Sequence, residues 1–67
     1  MTKHTEIERT TEHGFPVVYR KTIAVEGAYA FVRYTRNGVV TRSSSFPATA
    51  EQLSAYVDVA TAVALAV

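Results

Sequence analysis

The side chains that most often carry out chemistry are few in this chain and widely separated. His4 and His13 are the two histidines, and the chain contains no cysteine. A zinc site usually needs several histidine or cysteine ligands at characteristic spacings, and the sequence lacks such a pattern. We therefore expect neither a metal site nor a bound cofactor.

The candidate nucleophiles and carboxylates lack the surroundings that catalysis needs. Ser43, Ser44 and Ser45 follow one another in a strand-like segment, without a nucleophile-elbow motif or an obvious base. Glu6 and Glu8 lie in a polar terminal segment, where the burial that turns a carboxylate into a proton donor is not expected. The glycines do not form a phosphate-binding loop. The sequence predicts that this protein is not an enzyme.

Positive charge is concentrated in the middle of the chain, although the net charge is only +1. From Arg20 to Arg42 there are five basic residues and a single acidic residue, Glu26. Hairpin turns at Glu26–Gly27 and Asn37–Gly38 predict strand registers that place Arg20, Arg33 and Arg42 side by side on an exposed sheet face. Opposed like charges destabilise a sheet, so this row favours a bound phosphate or carboxylate. The alternative is that the guanidinium groups spread apart into water and are screened by salt.

Other side chains near this row are suited to the same ligands. Hydroxyl groups donate hydrogen bonds to phosphate, and aromatic rings stack on bases or contact them. The candidate residues for binding nucleic acid or an acidic partner are Arg20, Arg33, Arg42, Arg36, Tyr29, Phe31, Thr35 and Ser44.

Two turn signals divide the basic region into three strands. Asn37–Gly38 fits a two-residue type I′ turn, because both residues tolerate positive φ. This turn predicts that Arg33 lies opposite Arg42. Glu26–Gly27, taken as a second two-residue turn, predicts that Arg20 lies opposite Arg33.

Strand side chains alternate between faces, so these registers sort the region from 15 to 46 into two surfaces. The predicted core face consists of Val17, Tyr19, Ile23, Val25, Ala28, Ala30, Val32, Tyr34 and Val39, with Lys21 as a charged exception. The predicted outer face consists of Arg20, Thr22, Tyr29, Phe31, Arg33, Thr35, Arg42 and Ser44.

The segments on either side of this region complete a single α+β domain over residues 1–67. Residues 1–13 are polar and alternate weakly, which predicts an edge strand or an ordered arm, with the strand favoured. Thr49 is a candidate N-cap and Gln52 completes a capping box, so one helix is predicted over 49–66. The expected fold is a three- or four-stranded antiparallel β-meander with one C-terminal α-helix packed on one face.

The predicted helix has more apolar residues than one small sheet can cover. The stripe expected to lie on the sheet is Leu53, Tyr56, Val57, Ala60, Val63, Ala64 and Val67. The remaining apolar residues leave two interpretations open, a homodimer or partner contact and an alanine-rich end that tolerates exposure. The candidate contact residues are Tyr56, Val59, Val63 and Ala66.

From about Ala28 to Ala60 the chain resembles a known family. The segments Val32–Tyr34, Asn37–Gly38 and Ser44–Glu51 look like parts of the DNA-binding domain at the N-terminus of many phage integrases, which is related to plant AP2 domains. In that family a three-stranded sheet enters the major groove and a helix packs behind it.

The resemblance implies roles for individual residues of this chain. Arg33 and Arg42 become candidate contacts with double-stranded DNA, Val32 and Tyr34 become core residues, and Phe46 becomes a packing residue between strand and helix. The chain departs from the family at 39–41, where Val-Val-Thr replaces more basic residues. We also expect no recombinase domain.

Two functions therefore stay open at this point. The first is a DNA-binding accessory or regulatory protein, which the arginine row and the resemblance favour. The second is a small inhibitor or adaptor, of the kind that phages and mobile elements encode. It binds a host protein through the basic face, which would meet an acidic surface, or through the apolar helix, and the low net charge favours it. The longest apolar tract, 56–67, is shorter than the roughly 20 residues of a membrane-spanning helix. We expect a cytoplasmic protein that does not bind membranes.

Overall fold

The computed structural model describes residues 2–67 and contains one antiparallel sheet with two short helices against one face. The strands, in both chain order and sheet order, are β1 (Thr2–Glu12), β2 (Phe15–Glu26), β3 (Tyr29–Arg36) and β4 (Val39–Pro47). The helices are α1 (Ala50–Leu53) and α2 (Val59–Ala66). The predicted α+β meander is confirmed, and its first segment is an edge strand rather than an arm.

Two of the three hairpin turns have positive φ at both central residues, as in type I′ turns. These turns are His13–Gly14, with φ angles of 53° and 82°, and Asn37–Gly38, with φ angles of 49° and 83°. Asn37 also binds the neighbouring strand β2. Its backbone N–H donates to the Val18 carbonyl, and its side-chain Oδ1 accepts a hydrogen bond from the Val18 N–H, each at 2.9 Å. The Asn37–Gly38 turn is therefore held by both β3 and β2.

The middle turn begins one residue later than the sequence predicts. Gly27 has a φ of 62° and occupies the first central position, as in a type II′ turn, whereas the prediction placed it second. Arg20 consequently pairs with Thr35 and not with Arg33. The pairing moves by two residues, so side chains keep their predicted faces while their neighbours across the sheet change.

A β-bulge at Thr41 moves the side chains in the second half of β4 to the faces opposite to those predicted. Next to the Asn37–Gly38 turn the pairing is as predicted, but Thr41 has no opposite residue and Arg42 pairs with Tyr34. A displacement of one residue moves every following side chain to the other face. Arg42 and Ser44, which were predicted on the outer face, therefore lie on the side of the helices.

The core lies between the sheet and the helices, at the end of the sheet that contains the middle turn. Its buried residues are Ile23, Ala30, Val32, Leu53, Ala62 and Leu65. The rings of Phe46 and Tyr56 stack beside this cluster, with centroids 4.9 Å apart and planes 8° apart. The placement of Val39 in the core was wrong: its side chain is 67% exposed, because it lies at the end of β4 remote from Phe46.

The C-terminal segment forms two helices where the sequence predicts one. Thr49 caps α1 as predicted, since its Oγ1 accepts a hydrogen bond from the Gln52 N–H at 3.2 Å. A second cap follows at Asp58, whose Oδ1 accepts a hydrogen bond from the Thr61 N–H at 2.7 Å. Aspartate is favoured at an N-cap and unfavourable inside a helix. Asp58 therefore starts a new helix instead of continuing the first.

This interruption changes which side of the segment is buried. Leu53 is buried as predicted, but in α2 the sheet is covered by Ala62 and Leu65, while Ala60 and Val63 are exposed. Helical spacing extrapolated from α1 does not hold across a break. Neither of the helices in residues 2–67 is long and apolar enough to cross a membrane.

Ser44→Ala should raise the free energy of unfolding by about 1 kcal/mol, because the Ser44 hydroxyl oxygen is buried opposite Val32 and has no hydrogen-bond partner in residues 2–67. Urea denaturation measures the change. Ser43→Ala, on the other face of the same strand, is the matched control and should change stability by less than about 0.5 kcal/mol. Destabilisation by Ser44→Ala alone would contradict the bulged register.

Candidate functional site

The sheet face that carries no helix, called here the open face, alternates along each strand with the core residues. Its central part forms a shallow concavity. The open face includes Lys3, Thr5, Ile7, Arg9, Arg20, Thr22, Ala24, Glu26, Tyr29, Phe31, Arg33, Thr35, Val40, Ser43 and Ser45. The opposite side of the sheet, with the helices, is called the helix face.

The fold separates charges that are mixed along the sequence. The open face carries four basic residues and one acidic residue, whereas the rest of the chain carries three basic and five acidic residues. A chain of net charge +1 therefore has an open face of +3 and a remainder of −2. Local fields depend on such distributions rather than on net charge, so the open face attracts anions.

Three arginines of the open face form a diagonal row across β1, β2 and β3. Arg20 pairs with Ile7 of β1 and with Thr35 of β3. Arg9 lies two residues after Ile7, and Arg33 lies two residues before Thr35. The two arginines are therefore displaced from Arg20 in opposite directions along the strands. Diagonal neighbours of this kind are about 7–8 Å apart. The row Arg9–Arg20–Arg33 replaces the row that the sequence predicts.

The basic residues of the open face have no salt-bridge partner within the described part of the chain, residues 2–67. The salt bridges found there all lie on the helix face. Glu6 bonds His4 at 2.9 Å and Lys21 at 3.4 Å, and Glu12 bonds Arg36 at 2.9 Å. The positive charge of the open face is therefore left available to an external anion.

Hydrogen bonds on the helix face hold two of its carboxyl groups in the charged form. The Tyr19 hydroxyl and the Arg36 guanidinium both donate to Glu12, and they keep the pKa of Glu12 below its usual 4.5. The same pairing raises the pKa of Arg36. Donation from His4, and then from Lys21, lowers the pKa of Glu6. Two of the three basic residues on this face are thus neutralised within the chain.

The structure divides the predicted binding residues between the two faces. The open face holds Arg20, Arg33, Tyr29, Phe31 and Thr35, and the helix face holds Arg36, Arg42 and Ser44. The guanidinium carbon of Arg42 lies 5.7 Å from the ring centroid of Tyr34, within the range of a cation–π contact. The predicted row with Arg42 at its end was wrong because the bulge at Thr41 turns this side chain over.

Sequence reasoning missed the contribution of β1 to the open face. Lys3 and Arg9 lie there because the His13–Gly14 turn sets the register between β1 and β2. The glycine was a usable signal, but histidine is a less common partner than asparagine in such a turn. The sequence therefore did not predict the first hairpin, or the face on which its two basic residues lie.

The predicted contact residues of the helix are also divided. Tyr56 is partly buried, stacks on Phe46 and packs against the core, as expected for the stripe that lies on the sheet. Val59 and Val63 are 71% and 50% exposed, and Ala66 is exposed as well. The outward side of α2 is consequently apolar.

Fold and site together define a small α+β protein with a four-stranded antiparallel meander, short C-terminal helices and one basic sheet face. Comparisons with protein-family models, curated proteins and solved structures find no match. The resemblance to the integrase DNA-binding domain therefore stays a prediction. Within residues 2–67, no group of three or more histidine, cysteine, aspartate or glutamate side chains could hold a metal ion.

Glu12→Gln should make the protein less sensitive to acid. Because folding lowers the pKa of Glu12, its stabilising contribution is present above about pH 4.5 and is lost as the pH falls through the lowered pKa. The free energy of unfolding, measured in urea at about pH 6 and about pH 3, should fall more in wild type than in this variant.

Glu8→Gln is the control for this experiment, since it removes the same charge from the same strand face and leaves the salt bridges of Glu6 and Glu12 intact. It should retain the acid sensitivity of wild type. An equal loss of stability in wild type and Glu12→Gln would show that the contacts of Glu12 with Tyr19 and Arg36 do not stabilise the fold.

Proposed function

We propose that this protein is a small non-enzymatic module that binds nucleic acid through its open face. The observation that carries the proposal is the concentration of four basic residues, without salt-bridge partners in residues 2–67, on a face with one carboxylate. Contacts of lysine and arginine with phosphates supply a large part of nucleic-acid affinity. A row of arginines matches a ligand with regularly spaced anionic groups.

The neutral side chains of the open face suit the same ligand. Arg33 lies in a cross-strand row between Thr22 and Ser43, whose hydroxyls are positioned to donate to phosphate oxygens. Tyr29 and Phe31 are 57% and 44% exposed and offer rings to bases. Rings that can stack on bases, beside hydroxyls and arginines that can contact phosphates, favour nucleic acid as the ligand.

The biological role that fits this site is that of an accessory or regulatory DNA-binding protein. Such a role requires binding to nucleic acid and no catalysed reaction. Double-stranded DNA is the form that the resemblance to integrase domains implies.

Arg20→Gln combined with Arg33→Gln should weaken binding roughly tenfold or more at low salt, because two phosphate contacts are lost. The slope of log affinity against log salt should decrease in magnitude by about 1.4–1.8, at about 0.7–0.9 per contact. Fluorescence anisotropy with labelled oligonucleotides between about 50 and about 200 mM salt measures both quantities.

Arg36→Gln combined with Arg42→Gln is the matched control, since it removes the same charge from the helix face. It should leave the salt slope unchanged within error, and circular dichroism should establish that both double variants are folded. Equal effects of the two double variants would assign binding to net charge and not to the open face. Absence of binding by wild type at low salt would overturn the proposal.

A second candidate function is favoured by the outward side of α2. This helix, Val59–Ala66, contains no charged residue, and the exposed valines Val59 and Val63 lie one turn apart on its surface. An apolar helix side of this kind fits a groove on another protein or a second copy of the chain. In this candidate the protein is an inhibitor or adaptor that docks on a host protein through α2, or a homodimer that pairs through it.

Val63→Asp should abolish self-association if α2 forms a homodimer, because it places a charge in the centre of the apolar contact. Sedimentation equilibrium over a range of concentrations should show a mass approaching that of two chains for wild type and of one chain for the variant. Val39→Asp is the control, because this valine is 67% exposed and lies at the end of the sheet opposite to the core that α2 covers. A wild-type mass of one chain at every concentration would contradict the homodimer.

A further inference from the structure

We infer that the open face binds single-stranded nucleic acid in preference to duplex, with Phe31 as a base-stacking surface and the row Arg9–Arg20–Arg33 as the phosphate track. This inference rests on the proposed function and narrows its ligand.

The open face is too wide to enter a DNA major groove. Four strands spaced by about 4.8 Å span about 14 Å between their outer backbones, whereas the groove is about 12 Å wide and admits a two-stranded ribbon. Phe31 and Arg33 lie on β3 and Arg20 on β2, and β1 and β4 flank these middle strands. Base edges in the groove of a duplex are therefore out of reach of the three side chains, which could touch only its phosphates.

The strand that makes this sheet four strands wide is β1, an edge strand that precedes the region from 15 to 46. It pairs with β2 along its whole length and contributes Lys3 and Arg9 to the open face. The same strand therefore adds positive charge to the face and keeps that face out of the groove. A flexible single strand can lie across such a surface, because its backbone follows the protein.

Phe31 stands on a central strand with small neighbours on both sides. Its cross-strand partners are Ala24 and Ser45, so the ring rises above the side chains next to it and is 44% exposed. Tyr29 lies on the same face two residues away, at about 7 Å along the strand, and is 57% exposed. Bases in a duplex are already stacked on one another, but unpaired bases can stack on rings presented in this way.

The arginine row and the rings are close enough to be used by one strand of nucleic acid. Arg33 ends the row two residues from Phe31 on β3, at about 7 Å along the strand. The diagonal steps between arginines are about 7–8 Å, comparable with the distance between successive phosphates of an extended single strand. A backbone that follows the row brings its bases beside Phe31 and then Tyr29.

The test compares labelled single strands of DNA and of RNA with the DNA duplex of the same sequence, by fluorescence anisotropy at constant salt. Wild type should bind a single strand roughly tenfold more tightly than the duplex. Phe31→Ala should lower the single-strand affinity by roughly tenfold or more and leave the duplex affinity within about twofold, because only unpaired bases stack on the ring. Phe31→Tyr, which keeps a ring, should restore most of the affinity.

Phe15→Ala is the matched control, since Phe15 is also an exposed phenylalanine, at 71%, but lies on the helix face beside the first turn. It should not change either affinity. The comparison of single-stranded DNA with single-stranded RNA identifies the polymer that is bound. A preference for single strand over duplex that depends on Phe31, with either DNA or RNA, supports the inference.

Three results would overturn the inference in distinguishable ways. In the first, wild type binds single strand and duplex equally, the Arg20→Gln, Arg33→Gln variant loses this binding, and Phe31→Ala does not change it. This result overturns the inference and leaves the proposed function standing. Tighter binding of the duplex does the same. Failure to bind any nucleic acid, together with binding of polyglutamate as a stand-in for an acidic protein surface, overturns both proposals.

Discussion

The register of the four strands, set by three two-residue turns and one bulge, is the constraint on which both faces of this protein depend. Strand side chains alternate, so the register decides which residues meet and which point apart. The late start of the middle turn brings Arg20 opposite Thr35, and the bulge at Thr41 turns Arg42 away. Two small geometric choices therefore produce a diagonal arginine row instead of a lateral one.

The same alternation accounts for the difference between net charge and local charge. Glu6, Glu8 and Glu12 alternate with Lys3 and Arg9 along one edge strand, and the pleat sends the two signs to opposite faces. On the helix face Glu6 forms a salt bridge with Lys21, and Glu12 forms one with Arg36. The open face is basic because most of the acidic residues point to the other side, and a chain with nearly balanced charge still has a strongly polarised surface.

The helices complete the core and leave the open face free. The Lys21 ammonium donates to the Tyr56 carbonyl and also approaches Glu6, which ties the segment between α1 and α2 to the sheet. Leu65 and Ala62 cover the sheet from α2. A domain of this size buries little apolar surface, so every buried residue near the middle turn contributes to keeping the sheet, and with it the arginine row, in one arrangement.

The sequence by itself determined the α+β meander, the Asn37–Gly38 turn, the Thr49 cap and the inward alternation of β2 and β3, because these depend on local φ preferences and side-chain periodicity. The cap at Asp58 was also a local signal, although the prediction of one continuous helix did not use it. Only the tertiary structure decided the register between β2 and β3 and the bulge at Thr41. Adjacent turn positions have similar local energies, as do regular and bulged strand pairs, and packing of the folded sheet selects one of each. The candidate site follows the same division: its residue types were readable in the chain, and their grouping on one face was a property of the folded sheet.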